Sequence, residues 1–118
     1  MENEKIDYEI WLSAYKREDI ELSNQGRVRM SSTEKLLKTY APTVNDTDYS
    51  KGMQISYWKG RIPISELMAE TFLNNLYFKQ EKKIIKFRDS NRFNNHVNNL
   101  ELISEQENNK RNFKLQNS

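Results

Sequence analysis

The stretch "KFRDSNRFNNHVNNLELISEQEN", Lys86–Asn108, decides how this chain is read. It begins at the end of an apolar run, "KKIIKFRD", which reads as a strand. It crosses "SNRFNNHVNN", a loop of residues whose short polar side chains bond to neighbouring backbone. It then enters "LELIS", where Leu100, Leu102 and Ser104 alternate with Glu101 and Ile103 as in a strand. A helix start follows. Ser104-Glu105-Gln106-Glu107 matches the capping box S-x-x-E, in which serine oxygen and glutamate side chain reciprocally satisfy two free backbone N–H groups. Glu105 and Glu107 stand at the positive end of that helix, and Lys110, Arg111 and Lys114 toward its negative end, so the charges agree with the dipole. The C-terminal unit is therefore strand, long loop, strand, helix.

Upstream, "IELSNQGRVRM" alternates around Asn24-Gln25-Gly26, so Ile20 to Ser23 and Arg27 to Met30 read as a hairpin. "EKLLKTYAP" reads as a short strand ending before Pro42, and "TVNDTDYSKG" as polar loop. In "GMQISYWKGRIPI", Met53, Ile55 and Tyr57 alternate, the chain turns at Lys59-Gly60, and it returns through Ile62 and Ile64 as a second hairpin. All three glycines, Gly26, Gly52 and Gly60, fall at turns or strand starts, where backbone freedom is needed, and no nucleotide-binding glycine motif exists. "SELMAETFLNN" reads as a helix of about three turns with Ser65 as N-cap, ending near Asn74-Asn75 and covering the sheet. No repeat or Pro/Gly/Ser-rich linker divides the chain.

Composition bounds the chemistry. A chain of 118 residues with 36% apolar residues folds as one compact domain or two small lobes sharing a core. Cysteine is absent and His96 is the lone histidine, which excludes disulfides, thiolate sites and a multi-histidine zinc centre; a metal would need oxygen ligands. The opening MENEKIDYEIW is acidic and leads into no apolar run, and nothing approaches the roughly 20 apolar residues of a membrane span. The expectation is a protein of the cytoplasm, without a signal peptide and without a membrane partner. The net charge of +2 is unevenly divided: residues 1–50 carry seven Lys/Arg against ten Asp/Glu, or −3, and residues 51–118 twelve against seven, or +5. A basic C-terminal half fits a nucleic-acid footprint and fits a solvated basic face about as well.

The order of elements and three ordered motifs resemble one family, the phage-type HNH homing endonucleases that carry a NUMOD-type DNA-binding segment ahead of a ββα-metal nuclease unit. "EIWLSAY" and then "IELSNQGRVRM" are similar to that family's E-I-W followed by Y-E-V-S-N-x-G-R-V-R. "PISELMAETFLNN" resembles V-H-R-L-V-A-E-A-F-I-P-N, and "IKFRDSNRFNNHVNNLELISEQEN" follows V-N-H-I-D-G-N-K-T-N-N-R-V-E-N-L-E-W-V-T-P-S-E-N without a gap. The resemblance implies an α+β fold: N-terminal β-hairpins with a covering helix over residues 1–78, then a degenerate HNH-like ββα unit over 79–118. The boundary is set near Tyr77 to Lys79. The setting it implies is a bacterial or phage-infected cell.

Such a unit cuts a phosphodiester with one divalent ion and one histidine, which takes a proton from the attacking water. On this chain the general-base position falls on Phe87, whose ring accepts no proton, and the ligand position before it on Lys86, a cation with donors only. A middle asparagine is kept as Asn99 and the helix-start ligand as Asn108. Ser65 stands where the family has histidine, and Ser90 where its D-G turn has glycine. One neutral amide is too few ligands for Mg²⁺, which draws on one or two carboxylates. The resemblance therefore implies a catalytically inactive member with no catalytic residues, no metal and no cofactor.

Each retained residue also has a plain structural reading. Asn95 and Asn99 close the loop on backbone, Asn108 is an ordinary first-turn helix residue, and His96, nine positions past Phe87, packs in the loop. Asp89 shapes its turn. Trp11, Tyr15, Tyr57, Trp58, Phe72 and Phe78 read as core, with Trp58 the exception. It precedes Lys59-Gly60-Arg61 at a hairpin tip, a place suited to laying an aromatic and two cations against a backbone phosphate.

Three functions follow. The leading one is a binding protein for nucleic acid, double-stranded DNA by preference, with contacts from Arg27, Arg29, Lys59, Arg61, Lys86, Arg88, Arg92, Lys110, Arg111 and Lys114. The second is a phage-encoded effector with a host protein partner, or a virion or ribosome accessory. The third is an active HNH endonuclease using atypical residues.

Overall fold

The computed structural model describes residues 8–41, 52–73 and 83–116, with side chains as far as Phe113. Three small antiparallel sheets and two helices make an α+β fold. Strands β1 (Trp11–Ala14), β2 (Arg17–Ser23) and β3 (Val28–Met30) form the first sheet, with Leu22 opposite Val28 and Ile20 opposite Met30. The second holds β4 (Thr39–Tyr40), β5 (Gln54–Tyr57) and β6 (Gly60–Pro63), and the third pairs β7 (Ile84–Phe87) with β8 (Leu100–Ile103). Helix α1 (Ile64–Thr71) lies against β1, β2 and β6 and also against β7 and β8; α2 (Glu105–Gln116) ends the described chain.

One buried cluster holds these pieces together. Period-two positions Ile20 and Leu22 on β2, with Val28 on β3 and Ile55 on β5, meet Ile64, Leu67 and Met68, which the helical period places on one face of α1. Leu100 of β8 joins the same cluster, and Ile85 and Phe87 of β7 pack against it, so the C-terminal hairpin shares its core with the N-terminal sheets. The Tyr77–Lys79 boundary and Phe78 lie outside the described residues.

The hairpin at Asn24-Gln25-Gly26 and the C-terminal order of strand, loop, strand and helix form as expected, and several other elements differ in instructive places. β1 is an additional strand; only its Ala14 is buried, and its register shifts after Ser13, so no apolar alternation marks it. The run "EKLLKTYAP" is not one strand. Met30 N–H donates to Lys35 O and Leu37 N–H to Val28 O, both at 2.9 Å, and only Thr39 and Tyr40 pair with β5, so the chain changes sheets midway. The second hairpin turns at Trp58-Lys59, not Lys59-Gly60: Tyr57 pairs with Gly60, and Trp58 carries the positive φ of 57°. Pro63, not Ser65, caps α1, and Ser65 is buried; β6 runs into the helix without a spare residue because proline's fixed φ serves both. On β8 the buried residues are Leu100 and Ile103, the latter apart from the main cluster, so its two faces are not a simple inside and outside.

Candidate functional site

The loop from Arg88 to Asn99 is built by its own side chains. Asp89 Oδ1 accepts from Asn91 N–H (2.8 Å), Asn91 Oδ1 from Phe93 N–H (3.0 Å), Asn94 Oδ1 from His96 N–H (3.2 Å), and His96 Nδ1 from Asn98 N–H (3.1 Å). Each bond spans two residues, the Asx-turn pattern that explains so much asparagine in so short a stretch. Asn99, only 8% exposed, ties the loop's ends together. Its Nδ2 donates to Asp89 Oδ1 and to Asn94 O, each at 2.9 Å, and its Oδ1 accepts from Asp89 N–H at 3.0 Å. The side-chain hydrogen bond from Asn94 and the backbone bond from Asn91 hold the Asp89 carboxyl below its ordinary range, so it stays a carboxylate and shapes the turn. His96 caps a 3-10 turn over Val97–Asn99 with the nitrogen a base would use.

This loop is pressed onto both N-terminal hairpins. Val97 N–H donates to Asn24 O at 2.8 Å. A Cβ at Gly26 would stand 2.7 Å from Asn95 Cβ, and one at Gly52 would stand 2.2 Å from Arg92 O. Both glycines have positive φ, 87° and 67°, so each combines a left-handed backbone with a close approach. Asn95 differs from expectation: its Oδ1 is buried with no hydrogen-bond partner among the described residues.

On β7 the side chains alternate. Ile85 and Phe87 pack against the core, with Phe87 opposite Leu100, while Lys86 lies opposite Glu101 of β8. Glu101 is bound by Arg111 of α2, with contacts of 3.2 and 3.4 Å, and this hydrogen bond chiefly lowers its pKa, with the charges of Arg111, Arg88 and Lys86 adding to it. Arg111 also reaches Glu107 at 3.2 Å, one helical turn before it. The capping box is half formed: Glu107 N–H donates to Ser104 Oγ at 3.0 Å, while the Glu107 carboxylate meets Arg111.

The residues here do not fit a divalent ion. Asn108 Oδ1 is a buried acceptor without a partner among the described residues, suitable as one ligand, but the position expected to supply a second is the Lys86 ammonium. Glu101 is engaged by Arg111, and among the described residues no three His, Cys, Asp or Glu side chains are grouped to hold a metal.

The ten candidate cations are held in different ways. Arg27 is ion-paired with Glu9 (Nε at 2.8 Å), and Arg29 with Glu21 at 2.7 Å while its guanidinium lies 4.0 Å from the Trp11 ring centroid. With Arg111, these are engaged inside the molecule; Glu9, Glu21 and Glu101 were not foreseen as their partners. Arg61 stacks on Tyr40 at 4.1 Å. Lys59, Arg88, Arg92 and Lys110 are exposed and Lys86 half-buried, with no ion pair among the described residues. Lys114 lies on α2, its side chain beyond those described. Tyr57 and Phe72 pack against the core as expected, whereas Trp11 and Tyr15 are half-buried outside the core cluster, Trp11 lying against Arg27 and Arg29.

No protein-family model and no curated protein matches the chain. Among solved structures it is similar to one titled "DNA binding and cleavage by the HNH homing endonuclease I-HmuI", with a TM-score of 0.65 and 21% sequence identity over 91% of this chain. The likeness is one of fold, and it spans 59% of that chain's length. No described helix is long and apolar enough to cross a membrane.

Proposed function

We propose that this chain is a nucleic-acid-binding protein, with double-stranded DNA as its partner, on an HNH homing-endonuclease scaffold that has lost cleavage. The observation that carries the proposal is on β7, where Phe87 is spent on packing opposite Leu100 and Lys86 supplies donors only. A strand with these two residues has neither a group to take a proton from water nor an oxygen to ligate a cation. It keeps a positive charge at Lys86, with the exposed Arg88 and Arg92 following in the loop, which suits the phosphate backbone. The solved structure with this fold is titled for DNA binding and cleavage, and the cations without an ion pair among the described residues favour the first of those activities here. The β7, loop, β8 and α2 segment is then a ββα unit without its metal, following a NUMOD-like segment.

Each phosphate neutralised contributes a slope of about −0.9 to the dependence of log K on log salt. The double variant Lys86→Ala/Arg88→Ala is expected to bind duplex DNA roughly ten-fold more weakly, with a slope shallower by about 2. Unchanged affinity and slope in titrations over a salt series would remove these residues from the interface.

A further inference from the structure

The two tryptophans differ in kind. Trp11 is half-buried, with the Arg29 guanidinium 4.0 Å and that of Arg27 5.5 Å from its ring centroid. Trp58 is 84% exposed at the tip of the β5–β6 hairpin, in a left-handed backbone with φ of 57°. A bulky aromatic is an outlier there, since glycine or asparagine fits the conformation better. An 84% exposed side chain on an unfavourable backbone buries little surface in return for its strain, and strain of this kind gathers at sites of recognition.

The base beneath the tip is braced. Tyr57 meets the Trp58 ring edge to face, at 6.2 Å and 76°; its hydroxyl donates to Asp19 Oδ1 at 2.8 Å, and Arg17 lies over its ring at 5.7 Å. Arg61, on the returning strand, is held against Tyr40 at 4.1 Å. Lys59 and Arg61 follow Trp58, and residues 57–61 contain no acid. An exposed ring followed along the same hairpin by two cations suits a nucleobase face flanked by phosphates.

We propose that Trp58 stacks on an unpaired nucleobase, at a gap, bulge or single-stranded stretch, while Lys59 and Arg61 contact the flanking phosphates. This rests on the nucleic-acid-binding reading above. An unpaired base is favoured over a wedge into intact duplex because a duplex must first be unstacked, whereas an unpaired base already offers its face.

The test compares a short DNA duplex with the same duplex carrying a central single-strand gap. The wild type is expected to bind the gapped probe more tightly and to lose tryptophan emission on binding. Trp58→Ala should weaken gapped-probe binding by about 5- to 150-fold, the range of single-base stacking, and duplex binding less than about two-fold. Trp58→Phe should keep most of the preference. Trp58→Gly, which suits the positive φ, should match Trp58→Ala in binding while unfolding at a higher temperature, which separates lost stacking from lost fold. Equal affinity of the wild type for both probes, or an equal effect of Trp58→Ala on both, overturns this proposal alone. If neither probe is bound, both it and the nucleic-acid-binding reading fall.

Discussion

Asn99 matches the resembled family's middle asparagine, and its three side-chain bonds close a loop. Asn99→Ala should therefore destabilise the protein by about 2–3 kcal/mol, because it leaves Asp89 N–H and Asn94 O without their partner. Urea denaturation measures this, and an unchanged midpoint would deny the bracing role. Ser90 has a φ of 64° where the resembled turn has glycine. The loss read from the sequence is thus a loss of ease and not of conformation. Ser90→Gly should stabilise by about 1 kcal/mol in the same measurement, and a destabilised variant would show that the serine side chain is needed.

At the scale of elements, the glycines at β-turns also serve as docking points. Gly52→Ala would force a Cβ to 2.2 Å from Arg92 O at a φ of 67°, and should cost about 2 kcal/mol or more by calorimetry or urea. A cost near that of an exposed loop substitution would mean that the loop does not seat there. This approach was invisible in the sequence, which marks a glycine as a turn residue but not which distant backbone it admits. The elements that were legible, the hairpin at Gly26 and the strand, loop, strand, helix order of the C-terminal unit, are those where a local signal coincides with a tertiary one. Those missed, β1 and the sheet change near Leu37, are held by backbone bonds among residues of unremarkable pattern. Of the candidate site, residue identities at Lys86 and Phe87 were readable directly. The capture of Arg27, Arg29 and Arg111 by carboxylates was not, because cross-strand register and strand-to-helix reach decide it. Only Glu107 to Arg111, four residues apart on one helix, carried a sequence signal.

Across the whole molecule, two carboxyls, Glu9 and Glu101, join separate segments and a third, Asp89, closes its own loop, and all three are held below their ordinary values. Hydrogen bonding by Arg27 lowers Glu9, that by Arg111 lowers Glu101, and that by Asn94 lowers Asp89. Their stabilisation is fully present above the ordinary values of 4.5 and 3.8 and is lost as pH falls through the lowered ones. Thermal midpoints should stay level as pH falls to about 5 and drop below about 4.5, with Asp89→Asn less sensitive to acid; a decline beginning nearer neutrality would point to other groups. The same molecule joins a basic C-terminal half to β7 residues unable to activate water, and from that union comes the central claim that it binds without cutting. Supercoiled plasmid incubated with stoichiometric protein and Mg²⁺ or Mn²⁺ tests it most directly. The account predicts a retarded but unbroken plasmid, and divalent-dependent nicking that disappears in Asn108→Ala would contradict it.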